Sequence, residues 1–221
     1  MSHYQLVVFD WDGTLMDSTA HIVNCMRQAI EALQLPPLPD AKLSHIIGLG
    51  LQEAVQTLYP EANATLWQAL ADRYRSIWLS SPTDTPLFAN ARTLLDRLVE
   101  RDVLLAVATG KGRRGLDKVL TATGLNDRFV ATRCADESFS KPHPQMLLEL
   151  MDYCGVNANE TLMIGDTEFD MLMAKNAGTD RLAVSYGAHD KATLLATEPL
   201  ALLDDLYQVE HWLNPRVLSK V

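Results

Sequence analysis

Five short apolar runs constrain this chain more than any other feature: Leu6–Phe9, Val103–Ala108, Phe129–Ala131, Leu162–Ile164 and Leu182–Val184. Runs this uniformly apolar read as strands covered on both faces, as in the middle of a parallel sheet. Helix-sized segments separate the later runs. Residues 89–100 carry Leu94, Leu95 and Leu98 on one face, and residues 144–154 carry Met146, Leu147, Leu150 and Met151. Strands alternating with helices predict βαβ units, and hence an α/β fold with a doubly wound parallel sheet.

One gap breaks the alternation. The first and second runs are separated by far more chain than a crossover helix requires, and the segment between them reads as all helix. Ile22, Val23, Met26, Ile30 and Leu33 follow helical spacing, as do Leu66, Leu70, Tyr74 and Ile77, with a shorter helix over Gln52–Leu58. Pro36, Pro37 and Pro39 end the first helix, since proline lacks the donor and clashes with the preceding turn. The stretch Ser80–Pro86 reads as the return linker. The expected organisation is an α/β core from residues 1–16 and 86–213, an inserted helical cap over 17–85, and a flexible tail over 214–221. The two connections leave the core close together, which favours a hinge.

Composition excludes several classes. With 221 residues and a net charge of −9, the chain lacks the basic surface that nucleic acid or anionic membranes attract. No window approaches 18 consecutive apolar residues, and the first residues lack a signal-peptide pattern. Cys25, Cys134 and Cys154 are odd in number and form no C-x-x-C pair, so free thiols in a reducing cytoplasm are expected. Monomer and homodimer both remain open.

Four segments carry the chemistry. In Asp10-Trp11-Asp12-Gly13-Thr14, two carboxylates leave the tip of the first strand on the same side. Like charges that close need a cation or a shared proton, and the carboxyl ends of strands are where open α/β sheets bind ligands. A turn and a helix cap would need only one aspartate. Thr109-Gly110 ends the second strand, where a hydroxyl and free amides suit phosphate oxygens. Lys141 sits in Ser140-Lys141-Pro142-His143-Pro144, where the prolines stiffen the chain before a helix and His143 reads as a helix-entry residue. Gly165-Asp166 ends the fourth strand, and Thr167 with Asp170 has the spacing of a capping box. Glu168 is expected to be exposed.

Taken in this order, the four segments resemble the motifs of the haloacid dehalogenase superfamily, and the insert resembles the C1 cap of its phosphoglycolate phosphatase-like branch. The resemblance implies a Mg²⁺-dependent phosphatase acting on a small phosphomonoester: phosphoglycolate-like, a nucleotide or a sugar phosphate. It implies Asp10 as nucleophile and Asp12 as general acid and base. Lys141 and Thr109 would be catalytic as well, and Gly13, Thr14, Thr109, Gly110 and Lys141 would hold the phosphoryl group. The metal ligands would be Asp10, Asp12 through its carbonyl, Asp166 and Asp170, the last directly or through water. The dehalogenase branch lacks an aspartate at the position of Asp12, so Asp12 favours phosphorus chemistry.

Substrate choice is expected to lie in the cap. Gly48-Leu49-Gly50-Leu51-Gln52 is the candidate to reach across the site. Arg27, Lys42, Arg73 and Arg75 are the insert's cations, one of them a candidate partner for a substrate carboxylate and all four more simply solvated. The alternatives are a β-phosphoglucomutase-like phosphoryl transferase on the same fold and, from another class, a non-catalytic module phosphorylated on aspartate.

Overall fold

The computed structural model describes residues 4–82 and 84–217. The chain runs β1 (Leu6–Phe9), α1 (Thr19–Ala32), α2 (Asp40–His45), α3 (Leu51–Leu58), α4 (Ala64–Ser80), α5 (Ala91–Glu100), β2 (Leu104–Thr109), α6 (Arg113–Thr123), β3 (Ala131–Cys134) and α7 (Gln145–Cys154). It continues through β4 (Thr161–Gly165), α8 (Glu168–Ala177), β5 (Asp180–Val184), α9 (Lys191–Leu195), β6 (Leu202–Leu203) and α10 (Leu206–Leu213). All six strands are parallel, in the order β3-β2-β1-β4-β5-β6.

β1 is central, pairing Leu6–Phe9 with Leu104–Val107 on one side and with Thr161–Ile164 on the other. The period-two alternation of a strand sends Val7 and Phe9 to one face, packed with Leu94, Leu116 and Val209. Leu6 and Val8 go to the other, packed with Met146, Leu147 and Met173. Helices therefore cover both faces, as the double winding requires. The helices of the insert, α1 to α4, close on their own apolar cluster, which includes Met26, Ile30, Leu43, Val55 and Leu70.

The two connections to the insert run side by side. Asp17 N–H donates to Pro86 O at 2.9 Å, Phe88 N–H donates to Leu15 O at 2.9 Å, and Met16 bridges Leu87. A paired ribbon of this kind can bend without breaking the sheet.

Three details differ from the sequence reading. The third strand begins two residues later than the apolar run Phe129–Ala131, because Phe129 turns inward against Trp11 with ring centroids 6.2 Å apart. The strand itself is the half-exposed edge Ala131–Cys134. Asp40–His45 forms a short helix that the proline-rich turn hid. The tail is not loose as far as Val217. Asn214–Arg216 form a 3₁₀ turn, Tyr4 N–H donates to Arg216 O at 2.8 Å, and Val217 is buried beside Tyr4. The rest of the expected tail, 218–221, lies outside the described residues.

Candidate active site

The strand order reverses its direction of winding at β1. This opens a crevice at the carboxyl ends of β1 and β4, the place where such sheets bind ligands. Asp10 follows the tip of β1 and Asp166 the tip of β4. Asp170 lies in the first turn of α8, and Lys141 comes from the loop before α7. All four side chains are buried. Lys141 Nζ stands 2.8 Å from Asp10 Oδ1 and 2.6 Å from Asp170 Oδ1. One carboxylate oxygen from each of Asp10, Asp166 and Asp170 lies within 4.8 Å of the others.

Of the three carboxylates, two are held by further bonds. Asp166 accepts from Thr14 Oγ1 and from Ala188 N–H, both at 2.7 Å. Asp170 accepts from Thr167 N–H and Oγ1 at 3.1 and 2.7 Å while Thr167 caps α8, so the capping box does form. Asp10 is the exception. Beyond the ion pair with Lys141, neither of its buried carboxylate oxygens accepts a hydrogen bond. Gly13, with φ of +82°, turns the chain where any Cβ would run into the Asp166 carboxylate.

Burial raises the Asp10 carboxyl well above its ordinary value; Lys141 opposes the rise, and the charges of Asp170 and Asp166 add to it. Asp166 is pushed up to about 7, by burial first and by Asp170 second. Burial works against the Lys141 ammonium, but Asp10 and Asp170 outweigh it and hold it charged. Three carboxylates facing one ammonium leave an excess of negative charge in a dry place. Such a cluster binds either protons or a cation, and an all-oxygen donor set suits a hard divalent ion.

Asp12 belongs to a second, separate group. Its carboxylate accepts from Ser18 Oγ at 2.7 Å and pairs with Lys111 Nζ at 2.9 Å. Lys111 in turn lies over the Trp78 ring, 4.2 Å from its centroid. From α4 the Tyr74 hydroxyl is held protonated, raised by burial and then by the charge of Asp12. Trp11, between the two aspartates, points into the core and places its Nε1 3.4 Å from Met16 Sδ.

The phosphoryl-binding candidates divide. Thr109 and Gly110 line a cavity above the cluster, and the Thr109 hydroxyl accepts from Lys111 N–H at 3.2 Å, which leaves its own proton free. Gly13 and Thr14 do not line that cavity. The Gly13 amide donates to Met16 O at 2.9 Å and the Thr14 hydroxyl to Asp166, so both act beneath the site, shaping it.

The cap loop closes this cavity. Gly48 and Leu49 lay their carbonyls against Gly110, where any Cβ would collide with them. Gly50 N–H donates to Ser140 Oγ at 2.7 Å, and Ser44 Oγ donates to Ala188 O at 3.2 Å. His45 stacks on His189 with centroids 4.7 Å apart, and both rings stand near Glu168, which is only half exposed. Both ring nitrogens of His189 are engaged: Nδ1 accepts from Glu168 N–H at 3.1 Å, and Nε2 lies 3.0 Å from His45 O. This trio clasps cap to core and leaves His189 no lone pair for a metal. Of the insert's cations, Arg27 pairs with Asp40 and Arg75 with Asp72, while Lys42 and Arg73 are exposed. Only Arg75 of these lines the cavity.

Sequence reasoning assigned no role to Ser18, Lys111, Tyr74 or His189. Lys111 carried a usable signal, two residues beyond Thr109 on the same loop. The others are brought in by tertiary folding alone. His143 is the helix-entry residue expected, its Nδ1 accepting from Gln145 N–H at 3.2 Å.

Comparison with known proteins gives a consistent picture. Residues 7–184 match the model of the haloacid dehalogenase-like hydrolase family. The probable phosphatase IndB of Dickeya dadantii is 33% identical, covering 92% of this chain and 91% of that protein. A phosphoglycolate phosphatase of Agrobacterium fabrum is 29% identical over 97% of this chain and 94% of its own length. Among solved structures, a hydrolase from Pseudomonas syringae superposes with a TM-score of 0.88 at 23% identity, covering 97% of this chain and 99% of that one. At that identity the likeness speaks for the fold. The sequence match speaks for descent, and the chain belongs to the haloacid dehalogenase-like hydrolases.

Proposed function

We propose that this chain is a Mg²⁺-dependent phosphatase that hydrolyses a small phosphomonoester through an aspartyl-phosphate on Asp10. The observation that carries the reading is the bare Asp10 carboxylate. Apart from its contact with Lys141, it has no hydrogen-bond partner among the described residues, and it stands at a strand tip lining the cavity. The second oxygen, Oδ2, which Lys141 does not engage, keeps its lone pairs for attack. Asp10 attacks phosphorus, the ester oxygen leaves, and the Asp12 carboxyl gives that oxygen a proton. Asp12 then takes a proton from water, the water oxygen attacks the aspartyl-phosphate, and orthophosphate leaves with Asp10 restored. Ser18 and Lys111 fix the Asp12 carboxyl in place for both transfers. Thr109 donates its free hydroxyl proton to a phosphoryl oxygen.

Mg²⁺ would be held by Asp10, Asp166 and the Asp12 carbonyl, where it would neutralise charge on the phosphoryl group. Asp170 is committed to Lys141 and Thr167, so it orients the lysine rather than binding the ion directly. The relatives named phosphatases support the reaction class, and free thiols at Cys25, Cys134 and Cys154 fit a cytoplasmic enzyme.

The test is phosphate release from p-nitrophenyl phosphate, acetyl phosphate and phosphoglycolate, with Mg²⁺ or with EDTA. Turnover is expected with Mg²⁺ only, and Asp10→Asn should lower it by about a thousandfold or more. No Mg²⁺-dependent release from any of the three overturns the reading.

A further inference from the structure

The cavity above Asp10 and Asp12 encloses about 630 Å³. That is the size of site that takes a drug-sized ligand, several times what the two-carbon alcohol of phosphoglycolate would occupy. Its wall on the cap side is mainly apolar, with Gln52, Glu53, Asp72, Arg75 and Ser76 as its polar members. Ile22 and Met26 come from α1, Ile47 and Leu49 from the loop after α2, and Trp78 and Leu79 from α4. Except for Leu49 and Leu79, which are half-buried, these side chains are buried.

The charges that line the cavity do not invite a second anion. Three cations, Arg75, Lys111 and Arg114, face five carboxylates, Asp10, Asp12, Glu53, Asp72 and Asp136. Arg75 is paired with Asp72 at 2.7 Å and Lys111 with Asp12 at 2.9 Å. Asp136 is turned to the start of α6, accepting from Arg113 N–H at 2.9 Å. Of the lining cations only Arg114, exposed at the start of α6, has no partner among the described residues, so a carboxylate on the leaving alcohol would find no buried cation free to meet it. A polyhydroxylated alcohol laid along Ile22, Met26, Ile47, Leu49 and Leu79 would leave hydroxyls without partners there, at the cost of unmade hydrogen bonds.

We propose that the substrate's alcohol is uncharged, bulky and mainly apolar, an aliphatic chain or arene of six or more carbons, seated against this cap wall. The proposal rests on the phosphatase reading and specifies what that reading leaves open. Each apolar carbon taken from water into the wall favours the transition state, and one methylene alone can change kcat/KM about tenfold.

The experiment measures kcat/KM of the full chain with Mg²⁺ on hexyl phosphate, 2-phenylethyl phosphate, phosphoglycolate and glycerol phosphate. Acetyl phosphate serves as a reporter of the reaction itself. Hexyl and phenylethyl phosphate are expected to exceed the two polar esters by at least about tenfold. A preference for phosphoglycolate or glycerol phosphate overturns the substrate proposal and leaves the phosphatase standing. Absence of release from every compound, acetyl phosphate included, overturns the phosphatase reading itself. Leu79→Trp and Ile47→Trp each narrow the cavity, and either, if folded by circular dichroism, should lower the hexyl-to-phosphoglycolate ratio about tenfold, mainly through KM. An unchanged ratio in a folded variant overturns the placement of the alcohol on this wall.

Discussion

On the sheet side of the cavity, almost every functional group is pinned by at least two others. Lys141 is shared by Asp10 and Asp170, Asp166 is held by Thr14 and Ala188, and Asp12 by Ser18 and Lys111. On the cap side the lining is largely aliphatic and aromatic, and it is carried on helices joined to the core by one paired ribbon. The rigid side is polar and fixes reaction geometry. The cap side is mainly apolar, and on the proposal above it sets what is admitted. Rigid polar groups pre-organise charge stabilisation at no cost during the reaction. The cap meets the core through a few polar contacts, Ser44 with Ala188, Gly50 with Ser140 and His45 with His189, whose release would let it separate and return.

The largest effect that tests this contrast belongs on the rigid side. Lys141→Met would leave Asp10 and Asp170 buried without their ammonium, and removing one partner of a buried ion pair costs about 3–5 kcal/mol. Chemical denaturation should report a loss of that order, and a loss under 1 kcal/mol would mean the cluster is not held by this charge. The cap comes next. Gly110→Ala puts a methyl group against the carbonyls of Gly48 and Leu49, so the cap should close imperfectly. We expect kcat/KM to fall about tenfold with the melting temperature nearly unchanged; wild-type activity would show that this contact does not set closure.

The smallest effect is one of pH. Asp166, pushed up to about 7 in the metal-free chain, carries a proton in the folded state that it does not carry unfolded. Between its ordinary value and about 7 the folded state therefore binds more protons, and the stability of the metal-free chain falls as pH rises through that window. A cation must displace that proton below pH 7 and need not above it. Saturating Mg²⁺ should therefore raise the melting temperature more at pH 8 than at pH 6, by on the order of 3 °C. Equal shifts at the two pH values would remove Asp166 from the ion's ligands.

What could be read from sequence follows the same division. β1, β2 and β4 announce themselves because neighbours and helices cover them on every side, so nearly every residue is apolar, and β5 does so through its buried end Leu182–Val184. The edges do not: β3 is Ala131-Thr132-Arg133-Cys134, and β6 is only Leu202-Leu203. In the site, Asp10, Asp12, Lys141 and Asp166 stand out because the chain places charge directly beside buried strands or prolines. Tyr74 looked like one more residue on the apolar face of a helix, and His189 like a loop residue. Their positions depend on how cap and core dock, which no local pattern encodes. Gly13 and Thr14 stand out as well; Gly13 sits against Asp166 and Thr14 donates to it, and nothing in the local pattern separates that placement from touching a ligand.

The placement of β1 also governs how the protein comes into being. Leu6–Phe9 leaves the ribosome well before its two hydrogen-bonding neighbours, Leu104–Val107 and Thr161–Ile164. The four cap helices, with an apolar cluster of their own, emerge and can condense while that strand still has no partner. An unpaired, fully apolar strand is a template for aggregation. The strand that leads to Asp10 therefore stays without its full set of partners until Ile164 has been made, and needs shielding in the meantime.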